Sequence, residues 1–223
     1  MKKILLAATA FAAMSGAASA HDWSGPYVGG AIGTADRDTA WTDIDNDWVG
    51  AGVVAHDGGQ EAVTFSAFGG YNMQVHNFVF GGQLDLTFGD LKQTDYFCPG
   101  GCAPDEIRLS DDLTWMLAAR ANVGYAFGRF LPYATLGYAW SDMESSWYED
   151  GDLPDSWPEV ENQGAVVYGL GGQFAVNDKI ALGVEALRYD FGDETEFNND
   201  GTTFRMTVGT EVDVVRFTGS YGF

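Results

Sequence analysis

Eight segments of this chain alternate residue by residue between two kinds of side chain, and the connections between them alternate strictly between short and long. In residues 78–88, Phe78, Phe80, Gly82, Leu84, Leu86 and Phe88 form one set, and Val79, Gly81, Gln83, Asp85 and Thr87 form the other. Residues 113–127, 166–176 and 214–223 repeat the pattern, and residues 25–34, 62–72, 130–142 and 180–189 carry it more weakly. A period of two is the mark of a strand with two different faces. Residues 73–77, 128–129 and 177–179 are short turns, whereas 35–61, 89–112, 143–163 and 192–203 are long loops. All short connections therefore lie at one end, with both chain ends beside them.

The two faces select the solvent. One carries Leu, Val, Phe, Tyr, Trp and Gly; the other carries Gly, Ala, Thr, Ser, Gln and Asn with few charges. A soluble sandwich would bury the apolar face and cover the polar one with Lys and Glu. Here the polar face is small and weakly polar, which suits a narrow lumen. Segregated turns, an even strand number and segments of about ten alternating residues predict an all-β fold: an eight-stranded antiparallel up-and-down transmembrane β-barrel. Its inner girdle is expected from Tyr71, Phe78, Tyr125, Phe127, Phe130, Tyr221 and Phe223, and its outer one from Phe65, Phe88, Trp115, Tyr138, Trp140 and Tyr168. The 30 glycines argue further against a helical bundle.

The first twenty residues read differently. Met1-Lys2-Lys3 is basic, residues 4–13 are apolar, and Ala18-Ser19-Ala20 supplies a small-x-small pattern. This is a secretory signal peptide, cleaved after Ala20, leaving residues 21–223 as the barrel domain. No later stretch is long and apolar enough for a membrane-spanning helix. The expected location is the outer membrane of a Gram-negative envelope.

Trp23-Ser24-Gly25-Pro26-Tyr27-Val28-Gly29 resembles the W-x-G-x-Y-x-G opening of small bacterial outer-membrane barrels, the OmpA-like and opacity-type proteins of the "porin family". Residues 185–192, Glu-Ala-Leu-Arg-Tyr-Asp-Phe-Gly, resemble their seventh strand, although Arg188 stands three residues after the Glu where that strand has two. Phe217, Tyr221 and the terminal Phe223 resemble the C-terminal signal read by the barrel-assembly machinery. The resemblance implies an eight-stranded barrel in the outer membrane, but it fixes no biochemical activity.

The sequence excludes more chemistry than it supports. A Ser–His–acid arrangement at a rim is needed for lipid hydrolysis, yet of His21, His56 and His76 only His56 falls in a long loop, and no Gly-x-Ser-x-Gly occurs. No enzyme is expected. Asp43-Ile44-Asp45-Asn46-Asp47 begins like a calcium loop, but Trp48 stands where Gly is required and Val54 where Glu is required. No cofactor or metal is assigned. Cys98 and Cys102 suit a disulfide pinning a tight turn in an exported protein.

Charge narrows the partners. The chain has 32 acids against 11 bases, and nothing basic is clustered, so nucleic acid is excluded. The four long loops hold 24 of the acids, with Arg37, Lys92 and Arg108 against them. Those acids serve solubility, or they couple to lipopolysaccharide phosphates through divalent cations. Inside the barrel two ion pairs are expected, Asp85 with Arg120 and Glu185 with Arg216, with exchange of partners allowed by shear. Eight strands leave a lumen that side chains just fill. The expected role is structural or surface-interacting, as a monomer among outer-membrane lipids; a narrow passive diffusion channel is the alternative, and a lipid-modifying enzyme a distant third.

Overall fold

The alternating segments are strands because alternation lets every second side chain meet lipid while its neighbours fill a lumen, with all backbone groups paired in a closed sheet. The computed structural model describes residues 21–43, 53–96, 107–149, 160–161, 164–194 and 206–223. Along these residues run β1 (Gly25–Asp43), β2 (Val53–Val75), β3 (Phe78–Gly89), β4 (Gln93–Tyr96), β5 (Ile107–Asp112), β6 (Trp115–Tyr125), β7 (Phe130–Ser141), β8 (Glu144–Glu149), β9 (Val160–Glu161), β10 (Gly164–Ala175), β11 (Ile180–Glu194) and β12 (Met206–Gly222). Eight of them close an antiparallel barrel in the order β1-β12-β11-β10-β7-β6-β3-β2.

The expected loops 35–61, 89–112, 143–163 and 192–203 are not irregular throughout. β1, β2, β11 and β12 continue well beyond the expected strands and stay paired up to Asp43↔Val53, Asp43↔Met206 and Glu194↔Val208. The loops after β3 and β7 form a separate sheet, β4-β5-β8-β9, on the same end. Period-two reading stopped at the edge of the apolar face, whereas backbone pairing needs no apolar face to continue.

The short turns hold the other end. His76 takes a φ of 58°, and the Asn77 side chain donates to the Ala126 carbonyl. Gly128 supplies a φ of 63°. Asn177 Oδ1 accepts the Lys179 and Ile180 amides at 2.9 and 2.8 Å, which closes the third turn by an Asx bond.

Outward positions carry the expected aromatics; of the thirteen girdle residues only Phe130 is half-buried, the rest being exposed. Phe78 and Tyr125, paired across β3 and β6, meet edge to face at 5.2 Å. In β1, Val28 and Ile32 face outward and Tyr27, Ala31 and Ala35 inward.

The lumen is not weakly polar from end to end. Its outer half is an apolar core of Ala35, Met116, Ala118, Val167, Leu187, Tyr189 and Val214, capped by Leu91, Leu113 and Met143 from outside the wall strands. Leu113 was expected on the lipid face with Trp115. The strand breaks between Asp112 and Trp115, and that break frees Leu113 to turn inward. Arg37, expected in an exposed acidic loop, is a fully buried inward residue of β1 that donates to the Leu91 carbonyl at 2.9 Å.

Candidate functional site

Midway down the lumen the wall turns charged. Inward parity on β3, β6, β11 and β12 delivers Asp85, Arg120, Glu185 and Arg216 to one level, each buried. Glu185 and Arg216 stand directly opposite across β11 and β12. Asp85 faces Ala118, and Arg120 faces Gln83, so that pair meets on a diagonal.

The four form one network rather than two separate pairs. Arg120 reaches Asp85 at 3.0 Å and Glu185 at 3.3 Å. Arg216 reaches Glu185 at 2.6 Å, and across the bore its Nη1 donates to Asp85 Oδ1 at 3.0 Å. Each carboxylate thus sits between two guanidinium groups, and the network is neutral. That arrangement answers the desolvation cost that a lone buried charge would incur.

Neutral donors complete the shell. Tyr133 donates its hydroxyl to Glu185 at 2.5 Å, Thr87 to Asp85 at 3.0 Å, and Gln83 its amide to Asp85 at 3.1 Å. Arg216 Nη1 also donates to Ser66 at 2.9 Å, and Tyr27 donates to Gln83 at 2.8 Å. Glycine makes room for the larger members. A Cβ at Gly171 would meet the Tyr133 ring, and one at Gly33 would meet Arg216. Tyr133 is an aromatic on the inner face, whereas composition alone places aromatics on the lipid face. Its parity with Leu131 and Thr135 was the available signal.

Other expected residues lie elsewhere. Phe217, Tyr221 and Phe223 face outward, Phe217 at mid-height beside Arg216 and the other two at the short-turn end; Tyr221 packs edge to face on Phe223 at 5.3 Å and accepts a hydrogen bond from Lys179 at 3.1 Å. Cys98 and Cys102 lie outside the described residues, as do residues 1–20 and most of the acidic run from 43 to 47. His56 is in the outer extension of β2, opposite Trp41. Arg188 faces outward, pairing with Asp213 at 2.6 Å and Glu211 at 2.9 Å. Beyond the end of β7, Asp142 has its carboxyl held below the usual carboxylate range. Burial works against ionisation there, but the Thr114 hydroxyl and the Trp115 and Thr114 amides, which all donate to it, prevail. Among the described residues no His, Cys, Asp or Glu cluster has the geometry of a metal site.

Comparison with known proteins agrees with this architecture. The family described as outer membrane protein beta-barrel domain matches residues 4–213. No curated protein matches the sequence. Among solved structures, the outer membrane protease OmpT from Escherichia coli superposes with a TM-score of 0.57 at 10% identity, covering 89% of this chain and 97% of that one. The outer membrane protein OprG from Pseudomonas aeruginosa gives 0.48 at 14% identity, with coverage of 92% and 99%. At such identities the likeness is one of fold alone.

Proposed function

The chain belongs to the outer membrane protein beta-barrel domain family, and from the filling of its lumen we propose that it is a closed, non-conducting barrel with a structural or surface-contacting role. It is an outer-membrane β-barrel protein; the finer role rests on the filling of its lumen. The neutral Asp85–Arg120–Glu185–Arg216 network spans the bore from β3 to β12, and the apolar cluster around Val167, Leu187 and Val214 lies on its outer side. Water and ions would have to break charge-assisted bonds and then cross a dry layer, so passage is opposed twice.

The proposal has further parts. Residues 1–20 direct export and are removed, Phe217, Tyr221 and Phe223 are read during assembly, and the barrel is a monomer. The acidic outer loops meet lipopolysaccharide through divalent cations. No catalysis is assigned to the chain. Conductance of the refolded protein in a planar lipid bilayer tests the reading. No current steps above the bare bilayer are expected; stable ohmic steps would replace it with a narrow diffusion channel.

A further inference from the structure

The opening Trp23-x-Gly25-x-Tyr27-x-Gly29 has a physical role at the short-turn mouth of the lumen. Gly25 has a φ of 120°, a left-handed conformation that side chains oppose, and there the chain leaves the line of β1. Residues His21–Ser24 then cross the mouth instead of continuing the wall. Trp23 is only 7% exposed and packs among Val79, Ala126, Leu131, Tyr133, Ala175 and Ala181. Those residues come from β3, β7, β10, β11 and the turn after β6, so the cluster that buries the indole draws on several sides of the wall. The remaining motif positions prepare its seat. Tyr27 points inward and donates to Gln83, and Gly29 leaves space for the Phe68 ring beside Tyr27.

The segment is tied down at both sides. Trp23 donates its amide to Gln74 Oε1 at 2.8 Å, and Ser24 Oγ accepts the Gln74 amide at 3.1 Å, both in the hairpin between β2 and β3. His21 donates its backbone N–H to the Gly128 carbonyl, in the turn between β6 and β7, at 3.3 Å.

Polar space lies beside the strap and continues inward from it. A cavity of about 70 Å³ opens between His21–Ser24 and the turn at Asp178 and Lys179, reaching in to Tyr27, Asn72 and Gln173. A second, of about 10 Å³, shares those three residues and continues to Asn122 and Tyr133, just below the charged network. It has room for about one water, and Asn122 keeps a buried Oδ1 that no described protein group satisfies.

We propose that His21–Ser24 is a strap across the periplasmic mouth, with Trp23 as its stopper, separating this inner polar chamber from the periplasm. The spaced motif encodes the strap and its seat.

Thiol accessibility tests this in the full-length exported protein, extracted and held in detergent micelles. Cys98→Ser and Cys102→Ser remove the native thiols, and Asn122→Cys places one in the chamber. A small water-soluble methanethiosulfonate cation is the probe, and the heat-induced band shift checks that each variant is folded. Labelling is expected to be slow with the strap intact, slow with Trp23→Phe, and about tenfold faster with Trp23→Ala, since rate follows how often the mouth stands open. Gln74→Ala removes the side-chain acceptor of the Trp23 N–H and keeps the backbone bond from Gln74 to Ser24; this loosened strap is expected to label faster than the intact one and serves should Trp23→Ala fail to fold. Equal rates in strapped and unstrapped protein, whether fast or slow, overturn the proposal.

Discussion

Two arginine–carboxylate pairs, one belonging to the inner network and one on the outer wall, cross the same two strands, β11 and β12, and differ mainly in what surrounds them. Inside, Arg216 meets Glu185 at 2.6 Å with both side chains at most 2% exposed. Outside, Arg188 meets Asp213 at 2.6 Å with side chains 33% and 31% exposed. Bond length does not separate them; solvent does. An exposed pair gains little over hydration, whereas a buried one is retained only when every member is matched. The inner cluster is neutral and closed. The outer one is set among carboxylates: Asp36 lies opposite both Asp213 and Glu61, and Glu211 lies opposite Asp190 and Asp38. The outward wall at this height is therefore acidic over β11, β12, β1 and β2. On β6, β7 and β10 it is aromatic, with Trp115, Tyr138, Trp140 and Tyr168.

Arg216→Met should break the contrast most strongly. It leaves Asp85 and Glu185 buried with one cation between them, and urea titration of the folded protein in lipid vesicles should register a loss of about 3–5 kcal/mol. Arg120→Met should cost less, because Arg120 reaches each of the two carboxylates once while Arg216 also bonds Ser66. Tyr133→Phe comes next. It deletes one charge-assisted bond to Glu185 and leaves the ring's packing, so about 1.5–3 kcal/mol should be lost in the same titration.

Arg188→Met should cost no more than about 1 kcal/mol, and raising the salt should shrink even that, since its partners stand in reach of solvent. The smallest effect concerns Asp142. Its folded carboxyl is held below the ordinary range, so its contribution is present above the unfolded value of about 4 and is lost as pH falls through the lower folded value. Protection of the Trp115 amide, measured against intrinsic exchange at each pH, should therefore be steady above about pH 4 and fall only below it. Asp142→Asn should remove that dependence.

Parity made much of this legible and also marks where legibility ended. Asp85 and Arg120 are the lone charges of β3 and β6, and in β11 and β12 counting by two puts Glu185 and Arg216 on the inner face as well. Counting does not say which guanidinium meets which carboxylate, because the diagonal offset of Arg120 from Asp85 depends on barrel shear. Three residues separate Glu185 from Arg188, so the same parity places Arg188 outside; a resemblance of motif had obscured that. Leu91, Leu113 and Met143 were illegible for another reason. Leu91 and Met143 enter the lumen from beyond the wall strands, where no periodic face constrains them, and Leu113 departs from the period of its segment because β6 starts only at Trp115. Arg37 was hidden by its acidic neighbours, which suggested solvent although its inward position in β1 buries it. The strap was quoted as a motif but not understood, since its meaning lies in the backbone turn at Gly25 and not in composition.

The claim that burial, not geometry, separates the two clusters is tested most directly by paired double-mutant cycles in lipid vesicles. One uses Arg216→Met with Glu185→Met, and the other Arg188→Met with Asp213→Met. The inner pair is expected to couple by more than about 2 kcal/mol with little change on adding salt, and the outer pair by less than about 1 kcal/mol, falling further as salt is raised. Equal coupling energies, or an inner coupling that salt abolishes, would mean that the lumen at Arg216 is as wet as the outer wall and that the barrel is not closed there.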